Sequence, residues 1–282
     1  MDENIIKLYR KEGESVEEHL LRLRSMGIKT PTKRMIKTER QIEGCREAGR
    51  VNSLVLDAVS RIIEVGISTE EINEVVMRET KALGAKPACL GYEGFPKAVC
   101  TSLNNVICHG IPSKKDIIKD GDILNVDCTT AYNGYYGDAS RMYSFGKVSE
   151  SAERLVRVTR EALELAVAAV KPYESHLGDV GYYIGRHARA NGFSVVREIG
   201  GHGVGLAMHE DPYVCHVGFL GNGMLLLPGM IFTIEPMINE KKAKFYVDER
   251  DGWTVRTLDG GLSAQVEYEL LITESGVEIL SK

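Results

Sequence analysis

An Asn-Gly pair at residues 133 and 134 is the feature that most constrains the fold of this chain. The pair lies between two β-rich runs, and it favours a two-residue hairpin turn because both turn positions need positive φ. Such a turn pairs Thr129 with Asp138, and Thr129 shares a face with Asp127. The two aspartates are therefore predicted to be diagonal neighbours on one face, with Cβ atoms about 7–8 Å apart. A one-residue slip would place them on opposite faces.

The surroundings of these acids favour a buried site, although the pair alone fits a solvent-facing hairpin about as well. Asp127 ends the apolar run 123–126, Glu235 ends the run 230–235, and Glu267 lies in the strand-like segment 264–272. A buried carboxylate costs on the order of several kcal/mol unless it is paired or bound to a cation. Three inward acids would repel one another, and a divalent cation accounts for all three.

His202 completes a set of five candidate ligands for two metal ions. It lies in the glycine-rich segment 200–205, which lacks the spacing of a phosphate-binding loop. A lone histidine is more often a core residue, but beside several acids we interpret it as a ligand. Carboxylates that converge on one site can hold two cations about 3.5–4 Å apart. The set is Asp127, Asp138, His202, Glu235 and Glu267.

Composition predicts a globular protein of ordinary type. The 282 residues are 43% apolar and 27% charged, and the net charge of −5 does not indicate nucleic-acid binding. There is no apolar run of the roughly 18 residues that a membrane span needs, and the N-terminus lacks the pattern of a signal peptide. We therefore expect a cytoplasmic protein whose six cysteines are free thiols.

The predicted elements are two helices followed by strands, and this order occurs twice. Residues 1–36 form an N-terminal extension with one amphipathic helix, which is either an accessory arm or a helix packed on the body. The body, 37–282, begins with a capping box at Thr38, and its second pair of helices begins at Ser151. Helix breaks at Gly66 and Pro172 suggest pseudo-repeats of about 37–148 and 149–282. Helices separated from strands favour an α+β fold with a curved, mainly antiparallel sheet and a site between the halves.

From about residue 37 onward the chain resembles the type I methionine aminopeptidases of the pita-bread family. The matching segments are 89–92, 104–112, 125–127, 137–138, 201–205, 209–210, 232–236 and 263–267. The resemblance implies a duplicated pita-bread fold in which Asp127 and Asp138 come from the first half. The second half would supply His202, Glu235 and Glu267, and Asp138 and Glu267 would bridge the two ions.

The resemblance also implies a reaction, the metal-assisted hydrolysis that removes the initiator methionine from nascent proteins before a small second residue. Two divalent ions, of Co, Mn, Fe or Zn, would lower the pKa of a bound water toward neutrality. Glu235 would shuttle protons, His209 would stabilise the oxyanion and His109 would serve the scissile nitrogen. We expect a monomer without a membrane partner, and contact with the ribosome is left open.

The same resemblance implies a pocket for the first side chain of the substrate. Two positions depart from the family pattern, since Met208 stands where an aromatic residue is common and Phe95 where tyrosine is frequent. The predicted pocket residues are Cys89, Tyr92, Phe95, Cys100, His109, Met208, His209 and Trp253.

Two other readings compete with this one. A proline-specific pita-bread peptidase usually carries a whole extra N-terminal domain, and the extension here is too short for that. A non-catalytic pita-bread binding protein would have lost metal ligands, whereas this chain keeps all five. The remaining histidines have no chemical context and are interpreted as structural or exposed: His19, His176, His187 and His216.

Overall fold

In each half of the body, residues 37–282, two helices are followed by strands. The computed structural model describes residues 3–282, so the first two residues of the extension lie outside the described part. The helices are α1 (Glu3–Ile6), α2 (Val16–Ser25), α3 (Glu39–Ser60), α4 (Thr69–Ala82), α5 (Glu150–Ala169) and α6 (Leu177–Ala190). Short 3-10 turns cover Lys33–Met35 and Tyr92–Gly94.

The first-half strands are β1 (Lys86–Pro87), β2 (Cys100–Leu103), β3 (Val106–Cys108), β4 (Ile123–Tyr132) and β5 (Tyr135–Ser144). The second-half strands are β6 (Ser194–Val195), β7 (Gly201–Gly203), β8 (Glu210–Val214), β9 (Ile231–Ile234), β10 (Met237–Asn239), β11 (Phe245–Val247), β12 (Val255–Thr257), β13 (Ser263–Gln265), β14 (Tyr268–Ile272) and β15 (Val277–Ser281).

All pairs between these named strands are antiparallel. One sheet has the order β1-β4-β2, with β5 also paired to β4, and another has the order β15-β14-β9-β7-β8. Two three-stranded sheets, β13-β10-β6 and β11-β12-β3, complete the structure of the described residues. The predicted α+β class with mainly antiparallel pairing is confirmed.

The helices of the body begin where the sequence caps them. Thr38 forms a capping box with Gln41 at the start of α3, and Ser68 forms one with Glu71 at the start of α4. The helix α5 begins at Glu150, not at Ser151 as predicted from the sequence. The reason is that the Ser149 hydroxyl oxygen accepts a hydrogen bond from the N–H of residue 152 and so takes the N-cap position.

The hairpin of β4 and β5 has the register that the Asn-Gly turn predicts. Asn133 and Gly134 have φ values of 50° and 83°, and Thr129 lies opposite Asp138. Asp127 and Asp138 are therefore diagonal neighbours on one face of the hairpin. The apolar residues on its other face pack against α3 and α4, which fixes the direction of the acids toward the middle of the molecule.

The N-terminal extension packs on the body. Leu20 and Leu23 of α2 are buried in the main hydrophobic core, which also contains Leu227 and Met230. Burial of a leucine side chain stabilises the folded state by about 1.5–3 kcal/mol. The observation favours a packed helix over an accessory arm. Met26, which the helical spacing added to the apolar stripe, is 47% exposed because α2 ends at the residue before it.

Candidate metal centre

Four carboxylates converge in a cavity of about 410 Å³, and three of them are buried while Asp127 is half-buried. Asp127 and Asp138 reach it from the hairpin, and Glu235 reaches it from the residue after β9. Glu267 lies between β13 and β14, where its backbone exchanges two hydrogen bonds with Ser140 of β5 (3.2 and 3.4 Å). The contact between Glu267 and Ser140 joins the two halves of the chain at the acids themselves.

His202 faces these acids with an unprotonated ring nitrogen. Its Nε2 lies 3.7 Å from Asp138 Oδ2 and 3.6 Å from Glu235 Oε1. Its Nδ1 lies 3.0 Å from the carbonyl oxygen of Gly203, which only accepts hydrogen bonds, so Nδ1 carries the proton. A lone pair and carboxylate oxygens then face one another, and a cation between them relieves the repulsion. Ligand atoms of Asp138, His202 and Glu267 all lie within 4.8 Å of one another.

Burial raises the pKa of all four carboxylates. The pKa of Asp138 rises to about 8, through burial and then the neighbouring Cys89 thiol. Burial followed by repulsion between the acids raises the pKa values of Asp127, Glu235 and Glu267 well above their ordinary range. Such a group of acids is costly without a counter-charge. The oxygen-rich set with one imidazole therefore fits a divalent metal ion.

Neighbouring side chains hold two of these carboxylates in place. The Thr129 hydroxyl donates to Asp138 Oδ1 at 2.9 Å, and the Thr233 hydroxyl donates to Glu235 Oε1 at 2.9 Å. The amide nitrogen of Gln265 donates to the other oxygen of Glu235 at 3.0 Å. Such partners fix the orientation of metal ligands and tune their affinity. Nothing in the local sequence marks these residues as supports of the site.

Sulfur and aromatic side chains line the cavity beside the acids, and Cys100 is paired directly with Asp127 between β2 and β4. Cys89, Phe95 and Cys100 are buried together, with Met208 and Trp253 packed against them. The rings of Phe95 and Trp253 meet edge to face, with centroids 5.2 Å apart. All five predicted metal ligands and all eight predicted pocket residues line this one cavity.

Two histidines stand between the acids and the apolar wall. The Nδ1 atom of His209 is 2.8 Å from the Tyr92 hydroxyl, and its ring centroid is 4.2 Å from that of His202. His109 has a left-handed φ of 56°, and its ring lies 6.0 Å from the ring of Trp253. Burial lowers the pKa of His109 to about 4 and also lowers that of His209. Both rings are therefore neutral near pH 7, able to donate and to accept a proton.

Several residues of the site could not be predicted from the sequence around them. Ile199, Gly200 and Tyr213 also line the cavity. His216, interpreted from the sequence as structural or exposed, is fully buried and accepts the Glu235 N–H at its Nε2 (3.2 Å). His216 is thus a structural residue that holds the backbone of Glu235, a predicted ligand. These contacts join parts of the chain that only folding brings together.

The comparisons with known proteins agree with this geometry. Residues 43–274 match the model of metallopeptidase family M24. The chain is 49% identical to methionine aminopeptidase A of Synechocystis over 244 residues, which is 86% of this chain and 96% of the relative. The crystal structure of methionine aminopeptidase from Rickettsia prowazekii superposes with a TM-score of 0.85 at 40% identity, covering 88% of this chain and 99% of that one. Fold and site thus define a metallopeptidase of the pita-bread type.

The chain belongs to the methionine aminopeptidases of metallopeptidase family M24. This confirms the resemblance, the pita-bread fold and the enzyme class predicted from the sequence. A prolidase from Pyrococcus furiosus shares only 24% identity, with a TM-score of 0.69, and this chain covers 66% of it. That likeness extends to the fold alone, and neither the proline-specific nor the non-catalytic reading is favoured. None of the helices in residues 3–282 has the length and apolar character to cross a membrane.

Proposed function

We propose that this enzyme removes the initiator methionine from nascent proteins whose second residue is small. The observation that carries the proposal is the joining of two unlike surfaces in one cavity of about 410 Å³. Buried acids form one end, where an amide bond can be hydrolysed with the help of metal ions. A wall of sulfur and aromatic groups adjoins them, where the methionine side chain can be held.

Two divalent ions are the proposed cofactor. The residues that would hold them are Asp127, Asp138, His202, Glu235 and Glu267. Four carboxylates and one imidazole form a hard ligand set that suits Mn²⁺, Fe²⁺ or Co²⁺ at least as well as Zn²⁺. When bound, the ions would generate a nucleophile from water near neutral pH and polarise the scissile carbonyl group. Elemental analysis of the purified protein would count the ions.

The proposed roles of the other polar groups follow from their positions. His209, held at Nδ1 by the Tyr92 hydroxyl, would stabilise the charge that develops on the carbonyl oxygen. His109, neutral because it is buried, would serve the scissile nitrogen. Glu235, whose burial raises its affinity for a proton, would shuttle the proton between water and the leaving amine.

The sulfur and aromatic wall suits an unbranched thioether. Contacts between a sulfur atom and an aromatic ring contribute about 0.3–1.5 kcal/mol each, and Phe95 and Trp253 offer two such rings. A charged side chain would be buried without a partner here. A branched side chain such as valine would clash near the acids. The proposal is therefore methionine in the first position and alanine, glycine or serine in the second.

Peptide profiling with defined metals tests the proposal. We expect fast release of methionine from Met-Ala, Met-Gly and Met-Ser peptides, and slow release from Met-Leu, Met-Lys and Met-Glu peptides. Faster release of leucine, of alanine or of a residue before proline, at matched concentration, would refute the methionine assignment and leave a metallopeptidase. A lack of hydrolysis with every divalent ion would refute the enzymatic proposal.

The cellular setting is part of the same proposal. Nascent proteins begin with methionine in the cytoplasm, so we place the enzyme there, and subcellular fractionation would test this location. Contact with the ribosome and a monomeric state stay predictions. Co-sedimentation with ribosomes and light scattering measure each of them directly.

A further inference from the structure

The loop of residues 204–209 presents two side chains to the cavity. It joins β7, which carries His202, to β8, and it holds Met208 and His209. These two residues belong to different parts of the proposed machinery, one to the methionine wall and one to the oxyanion. A shift of this loop would therefore change substrate fit and hydrolysis together.

Glu210, the first residue of β8, holds the loop through hydrogen bonds to its backbone. Glu210 accepts two backbone hydrogen bonds at Oε1, from Leu206 at 2.6 Å and from Ala207 at 3.1 Å. Glu210 directly follows His209, so the same carboxylate fixes both ends of the turn that carries Met208 and His209. The backbone of Gly205 adds a link at the start of the loop, since its carbonyl accepts the N–H of Tyr136 on β5.

A buried lysine holds this carboxylate from behind. Lys37 Nζ lies 2.6 Å from Glu210 Oε2, and the two side chains are 1% and 17% exposed. The lysine is itself anchored, because its backbone N–H donates to the carbonyl of Gly229 at 2.8 Å. The space around it is filled: a Cβ added to Gly205 would lie 2.7 Å from Cys45 Sγ and 3.8 Å from Lys37 Cε. Water therefore has little room to replace the ammonium group of Lys37.

We propose that Lys37 and Glu210 are a positioning pair for the reaction. The ammonium group holds the Glu210 carboxylate, the carboxylate holds the backbone of residues 206 and 207, and that backbone sets the direction of Met208 and His209. Neither residue of the pair touches the substrate. This inference rests on the proposed aminopeptidase function, because it assigns a role to residues that support that site.

Three variants and one matched control test the pair. Lys37→Met removes the ammonium group and leaves a buried carboxylate without a partner. Glu210→Gln keeps an oxygen that can accept from residues 206 and 207 but removes the charge. The double variant Lys37→Met/Glu210→Gln removes both charges together. The control is Lys33→Met, which breaks the exposed ion pair of Lys33 with Glu17, whose side chains are 67% and 65% exposed.

Two readouts separate positioning from general damage. With excess Mn²⁺ and a Met-Ala peptide, we expect kcat/KM of Lys37→Met to fall about tenfold or more, since small misplacements of reacting groups are costly. We expect amide hydrogen exchange of segment 204–210 to speed up about tenfold or more, while exchange in the hairpin of β4 and β5 stays unchanged. The double variant should recover a large part of both losses, and the control should match the parent protein.

The outcomes distinguish this inference from the proposed function. If the parent enzyme releases methionine and Lys37→Met matches the control in turnover and in exchange, the positioning role is wrong. Equal loosening of the hairpin and the loop, or a double variant as impaired as Lys37→Met, would also overturn it, because the pair would then be a general structural element. If the parent enzyme releases no methionine, the proposed function fails, and exchange in segment 204–210 still reports whether the pair holds the loop.

Discussion

The acidic end and the methionine wall of the cavity are held together in opposite ways. The acidic end brings together four carboxylates whose pKa values are raised by burial, so its parts repel one another until a cation joins them. The wall is a cluster of thiols, a thioether and aromatic rings, which pack against one another without any ligand. The acidic end therefore depends on a counter-charge and on pH, whereas the wall depends on packing.

Removal of an acid that touches both halves should have the largest effect. We expect Asp138→Ala or Glu267→Ala to abolish activity and metal binding together, because each is proposed to bridge both ions. The measurement is turnover of a Met-Ala peptide with excess Mn²⁺ or Co²⁺, together with calorimetric titration of the metal. Near-normal turnover in either variant would contradict the bridging assignment.

Removal of either histidine between the two ends should separate catalysis from metal binding. For His109→Ala and His209→Ala we expect kcat to fall by about 100-fold or more, as for other lost acid–base or oxyanion groups. Metal affinity should barely change, because neither ring is proposed as a ligand. A large loss of metal affinity in calorimetry would make these residues part of the acidic end instead.

In the metal-free protein, ionisation of the carboxylates at the acidic end should destabilise the folded state. The folded-state pKa of Asp138 is about 8, above its ordinary value of 3.8, so the folded chain binds this proton more tightly than the unfolded chain does. The resulting stability is complete below about pH 4 and is lost as pH rises through about 8. Urea unfolding of chelator-treated protein should therefore give a free energy of unfolding that falls from about pH 5 to about pH 8.

Two further experiments test this pH effect. One adds a metal ion, and the other changes the methionine wall. Excess Mn²⁺ should remove the fall in stability, because the ion supplies the missing counter-charge. Met208→Leu, which alters only the wall, should leave the slope unchanged. A free energy of unfolding that rises with pH in the metal-free protein would show that the acids are paired in some other way.

A change of the wall alone should have the smallest effect. Met208→Leu keeps the volume of the side chain and removes its sulfur. Because Phe95 and Trp253 stay in place, kcat/KM for methionine peptides should change by no more than about twofold to tenfold, the scale of one lost sulfur contact of about 0.3–1.5 kcal/mol. Metal affinity and the pH slope should match the parent protein. A change above about 100-fold would mean that Met208 contacts the reacting groups.

Local sequence patterns predicted the carboxylates of the acidic end better than the side chains that hold them in place. The Asn133-Gly134 turn fixed the register of Asp127 and Asp138 correctly, because a two-residue hairpin leaves only one pairing. The start of α3 was also predicted, since a capping box is a local set of hydrogen bonds. Family resemblance, not local pattern, supplied the pocket residues and the roles of His109 and His209.

Contacts between distant parts of the chain were not predictable in the same way. Lys37 and Glu210 are 173 positions apart, and nothing near either residue marks the other as its partner. The amphipathic pattern of α2 predicted an apolar face but not the surface that covers it, so both readings of the extension stayed open until Leu20 and Leu23 were seen in the main core. The role of His216 was not predictable for the same reason, because its partner is the backbone N–H of Glu235, 19 positions away.

The hydrogen bonds between Glu267 and Ser140 have a consequence for synthesis of the enzyme. Translation delivers Asp127 and Asp138 early, whereas Glu267 follows only after more than a hundred further residues have left the ribosome. Until then the hairpin presents acids with no completed centre around them. A growing copy of this chain therefore lacks the contact between its two halves until residue 267 has been made, and the four acids can come together only after that point.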